Sequence, residues 1–157
     1  MAVTAAKEGA MKFVSTVAMF ALMVVGSPVW AQESIGFVKT VSGDASVTSA
    51  GKLVKAVPGT PVHVNSVLKT GPKASMGVTF KDNQVMSFGP DTELTVDEYL
   101  YAPAKGDLKF AASMSKGTLN VVSGVIAKLK PEAVSVKTPT GTIGVRGTNY
   151  VIKVEPQ

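Results

Sequence analysis

His63 is the only histidine in the 157-residue chain, and cysteine is absent. A zinc centre needs three or four His, Cys or carboxylate ligands, and thiol catalysis needs a cysteine, so both chemistries start short of material. A lone histidine between Val62 and Val64 is expected to be a surface or partly buried strand residue. No serine stands in a Gly-x-Ser-x-Gly elbow, and no glycine loop has the Walker spacing. The densest carboxylate group is Asp91, Glu93, Asp97 and Glu98. Calcium binding is one chemistry for it, but the Asp-x-Asp-x-Asp-Gly loop that would make it specific is missing. Acidic side chains decorating the solvent face and edge of a sheet are the preferred reading. A distant carboxylate pair of the glycosidase kind remains formally open. The inventory points away from an enzyme, and no cofactor and no metal site is expected.

The most distinctive stretch is Thr138-Pro139-Thr140-Gly141-Thr142-Ile143-Gly144-Val145-Arg146-Gly147-Thr148-Asn149-Tyr150. It holds the only arginine, Arg146, among fifteen lysines, and three glycines within seven residues. Five fixed N–H donors suit Arg146 to tie a glycine-rich backbone to carbonyls or a carboxylate, which is the favoured role. The other role is an exposed anchor for an anionic partner or an envelope polysaccharide. Ile143 and Val145 share one strand parity, whereas Tyr150, Ile152 and Val154 have the other. One extra residue in the alternation explains the switch, and Gly147 is placed where a β-bulge would put it. Thr138 precedes Pro139 and is therefore held extended.

"TPTGTIGVRGTNYVIKV" resembles the signature that closes the FecR domain of bacterial envelope proteins. In that signature a Thr-Pro and small residues lead to Ile/Val-Gly-Val/Ile-Arg-Gly-Thr, an aromatic and a final strand. Here Thr138, Pro139, Gly141, Thr142, Gly144, Arg146, Gly147, Thr148 and Tyr150 fill those places, with Asn149-Tyr150 where Phe is usual. "GFVKTVSGDASV", "VPGTPVHVNSVLKTGPKASMGVTFKDNQVMSFGPDTELTVDEYLY" and "SKGTLNVVSGVIAK" are similar to its earlier strands in order, so the resemblance spans about 35–154. It implies an exported β domain that binds or scaffolds. In full-length FecR proteins such a domain receives a signal from an outer-membrane transporter, and a cytoplasmic segment acts on a sigma factor. This chain shows no such segment, so it is expected not to carry a signal across a membrane by itself.

The elements that would position these residues are short strands. Ala74, Met76, Val78 and Phe80 alternate cleanly, and Leu108, Phe110, Ala112 and Met114 do so again. Parity slips at Asp97-Glu98 and across Lys116-Gly117, as bulges would cause. Ile35, Phe37 and Val41 are assigned to one face. Val125, Ala127 and Leu129 alternate with Ile126, Lys128 and Lys130 and read as a strand ended by Pro131. Val134 and Val136 point inward on the next one. Lys81-Asp82-Asn83 reads as a hairpin turn. More than ten short strands and no convincing helix make the chain all-β, with many short strands in two faced sheets. The FecR resemblance favours a solenoid-like, β-helix-like winding, and an antiparallel β-sandwich is the alternative.

Residues 1–31 read as an export signal. Lys12 supplies the positive end, an apolar run follows to Val25, and Val29-Trp30-Ala31 is a small-x-small cleavage site before Gln32. Met11 is a candidate true start. Residues 32–157 are then one domain, with no stable membrane span once the leader is removed. Losing Lys7, Lys12 and Glu8 leaves fourteen basic and ten acidic side chains. They are scattered singly, which excludes the stripe a nucleic-acid partner needs. The partner is left as an unknown protein or an envelope polysaccharide, in the periplasm or outside the cell.

Overall fold

The computed structural model describes residues 31–157. The leader and the choice between Met1 and Met11 lie outside the described residues. The strands are β1 (Gly36–Ser42), β2 (Ala45–Ser49), β3 (Lys52–Lys55), β4 (Pro61–Val62), β5 (Val67–Thr70) and β6 (Ser75–Phe80). After them come β7 (Val85–Phe88), β8 (Glu93–Ala102), β9 (Asp107–Val122), β10 (Val134–Thr138), β11 (Gly141–Gly144) and β12 (Asn149–Val154). One short helix, α1 (Val125–Leu129), sits between β9 and β10. No helix among the described residues is long and apolar enough to cross a membrane.

The domain is mostly β and forms one strongly curled sheet, a half-barrel. Its spine is β9. The first half of β9 pairs with β8 and with β10. Its second half pairs with β7 and with β12. The sheet halves are therefore joined along a shared strand, not stacked as two separate layers. Neither the solenoid-like winding nor the sandwich is seen. A solenoid stacks parallel coils, whereas among the described residues only the β9–β10 pairing is parallel.

Alternating side chains explain the curl's inner lining. Met76, Val78 and Phe80 of β6 are buried beside Met86 and Phe88 of β7, and Phe110, Ala112 and Met114 of β9 beside Leu94 and Val96 of β8. Phe80, Tyr99 and Phe110 form an aromatic trio with centroids 5.6 to 6.2 Å apart. Edge-to-face and offset-stacked pairs of this kind add stability beyond their buried area.

Irregular residues keep the alternation facing inward. Asp97 is the extra residue between Val96, opposite Ala112, and Glu98, opposite Ala111, so Tyr99 returns to the core. A similar slip between Val38 and Thr40 corrects the reading of β1. Val38 is buried and Phe37 points outward, because the bulge at Lys39 resets the parity before Val41. A further irregularity is in β9, where Gly117 has φ +102° and the strand passes from one sheet half to the other.

Residues 125–129 are helical, not extended as expected. The reason lies 44 residues upstream. The first-turn N–H groups of a helix lack internal partners. Val125 donates its N–H to the Asp82 carbonyl at 2.8 Å, and Ile126 donates to Asp82 Oδ2 at 3.3 Å. A cap supplied by another element cannot be seen in the local alternation.

Candidate functional site

The signature stretch opens as a hairpin. Thr138 at the end of β10 faces Gly141 at the start of β11, and Thr138 Oγ1 donates to the Gly141 carbonyl at 2.9 Å across Pro139-Thr140. Thr142 and Gly144 continue β11, all of it exposed. The chain then leaves this sheet half. Val145 is buried, Arg146 turns to solvent, and Gly147 adopts φ +135°. β12 resumes in the other half, with Asn149 opposite Val122 and Val154 opposite Gly117.

This corrects the bulge assigned to Gly147. The parity change between Val145 and Tyr150 arises because the stretch is two strands in different halves, joined by a crossing. Gly147 does hold a positive φ, but within the crossing. Ile143 is 37 % exposed and does not share an inward face with Val145. Ile152 alone of the β12 apolar trio is buried, with Tyr150 and Val154 partly so.

The crossing borders a groove of about 360 Å³ lined by Ser123, Ala127, Lys128, Pro131, Arg146, Gly147 and Thr148. Arg146 forms no ion pair or side-chain hydrogen bond among the described residues. The favoured role, a guanidinium tying down the glycine-rich backbone, is therefore not what holds this loop. Ser123 holds it instead, donating from Oγ to the Gly147 carbonyl at 2.7 Å and from N–H to the Thr148 carbonyl at 2.8 Å.

Tyr150 closes the stretch half-buried, its hydroxyl shut from solvent and without a partner among the described residues. Burial pushes its phenol up to about 12. Tyr99 is raised as well, first by burial and then by the Asp82 carboxyl beside it. Both shifts favour the neutral phenol in the folded protein. Their stabilising effect is whole below the ordinary phenol value of about 10 and is lost as pH climbs through the folded values. Unfolding free energy should thus fall steadily between about pH 10 and 12, and less so in Tyr150→Phe. Denaturant titrations across that range check this. An identical slope in the variant would mean that Tyr150 ionises as readily folded as unfolded.

The acidic group is dispersed. Glu93 pairs with Lys69 at 3.7 Å and Glu98 with Lys109 at 3.1 Å. Asp97 accepts from Ser113 Oγ at 2.5 Å, and Asp91 occupies a turn at φ +51°. No three His, Cys, Asp or Glu residues among the described ones come together as metal ligands. His63 is partly buried, and its backbone N–H donates to Ser66 Oγ at 2.9 Å.

Asp82 is the polar residue whose importance the sequence hides. It is fully buried. Its Oδ1 accepts from the Tyr99 hydroxyl at 3.0 Å and the Gln84 N–H at 3.3 Å, and its own N–H donates to that hydroxyl at 3.0 Å. With the α1 contacts, one side chain links the β6–β7 turn, β8 and the helix. An aspartate in a Lys-Asp-Asn turn reads as a solvent residue, and only its pairing partners, far along the chain, say otherwise.

The signature stretch agrees with the comparison to known sequences. Residues 66–157 match the family described as FecR protein, over half the chain, and the chain belongs to that family. The match runs from just before β5 to the C-terminus, and the upstream part of the resemblance, 35–65, lies outside it. No curated protein and no solved structure matches.

Proposed function

We propose that the chain is an exported, non-enzymatic binding or scaffold module of the bacterial cell envelope, engaged in signal reception. FecR domains are generally non-catalytic sensors or regulators. The observation that carries the reading is the placement of the signature. Of residues 138–150 only Val145 is buried, so the most distinctive stretch of the chain is displayed on its surface. Binding residues are carried disproportionately on exposed loops positioned by a sheet scaffold, as this stretch is. The leader-like residues 1–31 support export.

Cell fractionation with mass spectrometry tests this. The chain should be recovered from the envelope or medium beginning at Gln32, bound to an envelope component. Recovery from the cytoplasm with residues 1–31 intact would reject the export that the function requires.

A second reading is an envelope protein that assembles through its sheet edges. It draws on β3, an edge strand paired only to β2, where Leu53 is 68 % exposed. Unpaired strand edges are templates for another chain. A strict monomer by size-exclusion chromatography at high concentration counts against it.

A further inference from the structure

The loop carrying Arg146 is fixed on both sides, yet its guanidinium holds nothing. Val145 plugs into the core on one side. On the other, Ser123 pins the carbonyls of Gly147 and Thr148. The ion pairs among the described residues belong to Lys69, Lys81, Lys109 and Lys153, and involve neither Arg146 nor Lys128. No carboxylate lines the groove that these two cations share. A guanidinium presents a rigid donor fork matched to a carboxylate, and a backbone fixed beforehand has little left to lose on binding.

We propose that this groove is a recognition site for an acidic protein segment, a carboxylate of which docks on Arg146 with Lys128 as the second charge. The proposal rests on the reading of the chain as a binding module and names the chemistry of its partner. The surroundings favour a peptide. Leu129 is 62 % exposed at the end of the helix that carries Lys128, and Val122, next to Ser123, is 40 % exposed. A segment alternating acidic and apolar side chains would meet both features. Sugar rings pack on aromatic faces, and no aromatic lines the groove. Anionic membrane surfaces are held by clusters of about four to eight basic residues. Two line this groove.

The test uses the full-length chain and a labelled peptide of alternating Glu and Leu, read by fluorescence anisotropy. Oligogalacturonate serves as competitor, and melting temperature is followed in parallel. Arg146→Gln should weaken peptide binding by about tenfold or more, and Lys128→Gln by a few-fold. Arg146→Lys should fall between Arg146→Gln and the parent, since it keeps charge and loses the fork. Lys52→Gln, on the distant edge strand β3, should leave binding unchanged. All four variants should melt with the parent.

Equal weakening by Lys52→Gln would show general charge attraction and overturn the site. Absence of binding at about 1 mM peptide would overturn it too. So would oligogalacturonate displacing the peptide at lower concentration than unlabelled peptide does, which would make the groove a glycan site. None of these results touches export, which the N-terminal mass decides separately, so failure of the site is distinguishable from failure of the envelope reading.

Discussion

Gly117→Ala should unfold or severely destabilise the domain, the largest effect expected of any single methyl group added to it. Gly117 sits in β9 at φ +102°, a region where a side chain adds strain of about 1–2 kcal/mol. Space is the greater problem. A Cβ there would stand 2.2 Å from Thr92 Oγ1 and 2.4 Å from Thr92 Cα. Thr92 cannot yield. It is fully buried, and its hydroxyl donates to the Thr118 carbonyl at 3.1 Å while accepting from the Thr118 N–H at 3.0 Å. Its own N–H donates to Thr70 Oγ1 at 3.0 Å. Overpacking of such a site adds about 1–3 kcal/mol. The combined loss of about 2–5 kcal/mol is a large share of the 5–15 kcal/mol typical of a domain.

Urea denaturation of Gly117→Ala measures it, and Thr92→Gly in the same chain should not rescue it, because the Cα itself obstructs. Gly147→Val is the comparator. Gly147 has φ +135° but open space around its Cβ position, so it should lose strain energy only and rank below Gly117→Ala. A Gly117→Ala protein within about 1 kcal/mol of the parent would mean that β9 does not turn between the sheet halves at Gly117.

The second large effect belongs to Asp82. Removing its side chain in Asp82→Ala strands three donors, the Tyr99 hydroxyl, the Gln84 N–H and the Ile126 N–H, in a region closed to water. Hydrogen bonds to a charged group contribute about 1.5–3 kcal/mol each, and they do not simply add. A net loss of about 3–5 kcal/mol is expected, with α1 released first because Asp82 caps it. Asp82→Asn should lose less, about 1–3 kcal/mol, since its oxygen can keep one set of donors while its NH2 group opposes the other. Urea denaturation gives the totals, and hydrogen exchange at Ile126 reports the helix. Stability in Asp82→Ala equal to the parent's would show that the cluster is not a structural clamp.

Much of the strand content follows from local chemistry. Met76-Val78-Phe80 and Phe110-Ala112-Met114 must form strands with one wet face, because their side chains alternate and nothing nearby favours another period. The slip at Asp97-Glu98 and the flip at Lys116-Gly117 were legible for the same reason, since parity is conserved unless a residue is added or the backbone turns. The closing motif was legible as a unit, but the bulge read at Gly147 is a crossing between two strands. What the motif does in space was not legible. A parity change reads the same whether one strand bulges or the chain crosses to another sheet half, and the choice depends on β9, which offers separate edges to β10 and β12. Likewise Val125–Leu129 carries no decisive local signal, and a carbonyl and a carboxylate of Asp82 make it a helix. The sequence by itself determined most of the strands, the inward faces of the cleanly alternating ones such as Met76-Val78-Phe80, and the family signature, because these rest on contacts between near neighbours. The tertiary structure alone decided the curl around β9, the burial of Asp82 and the exposure of Arg146, because each depends on which distant backbone comes to stand beside it.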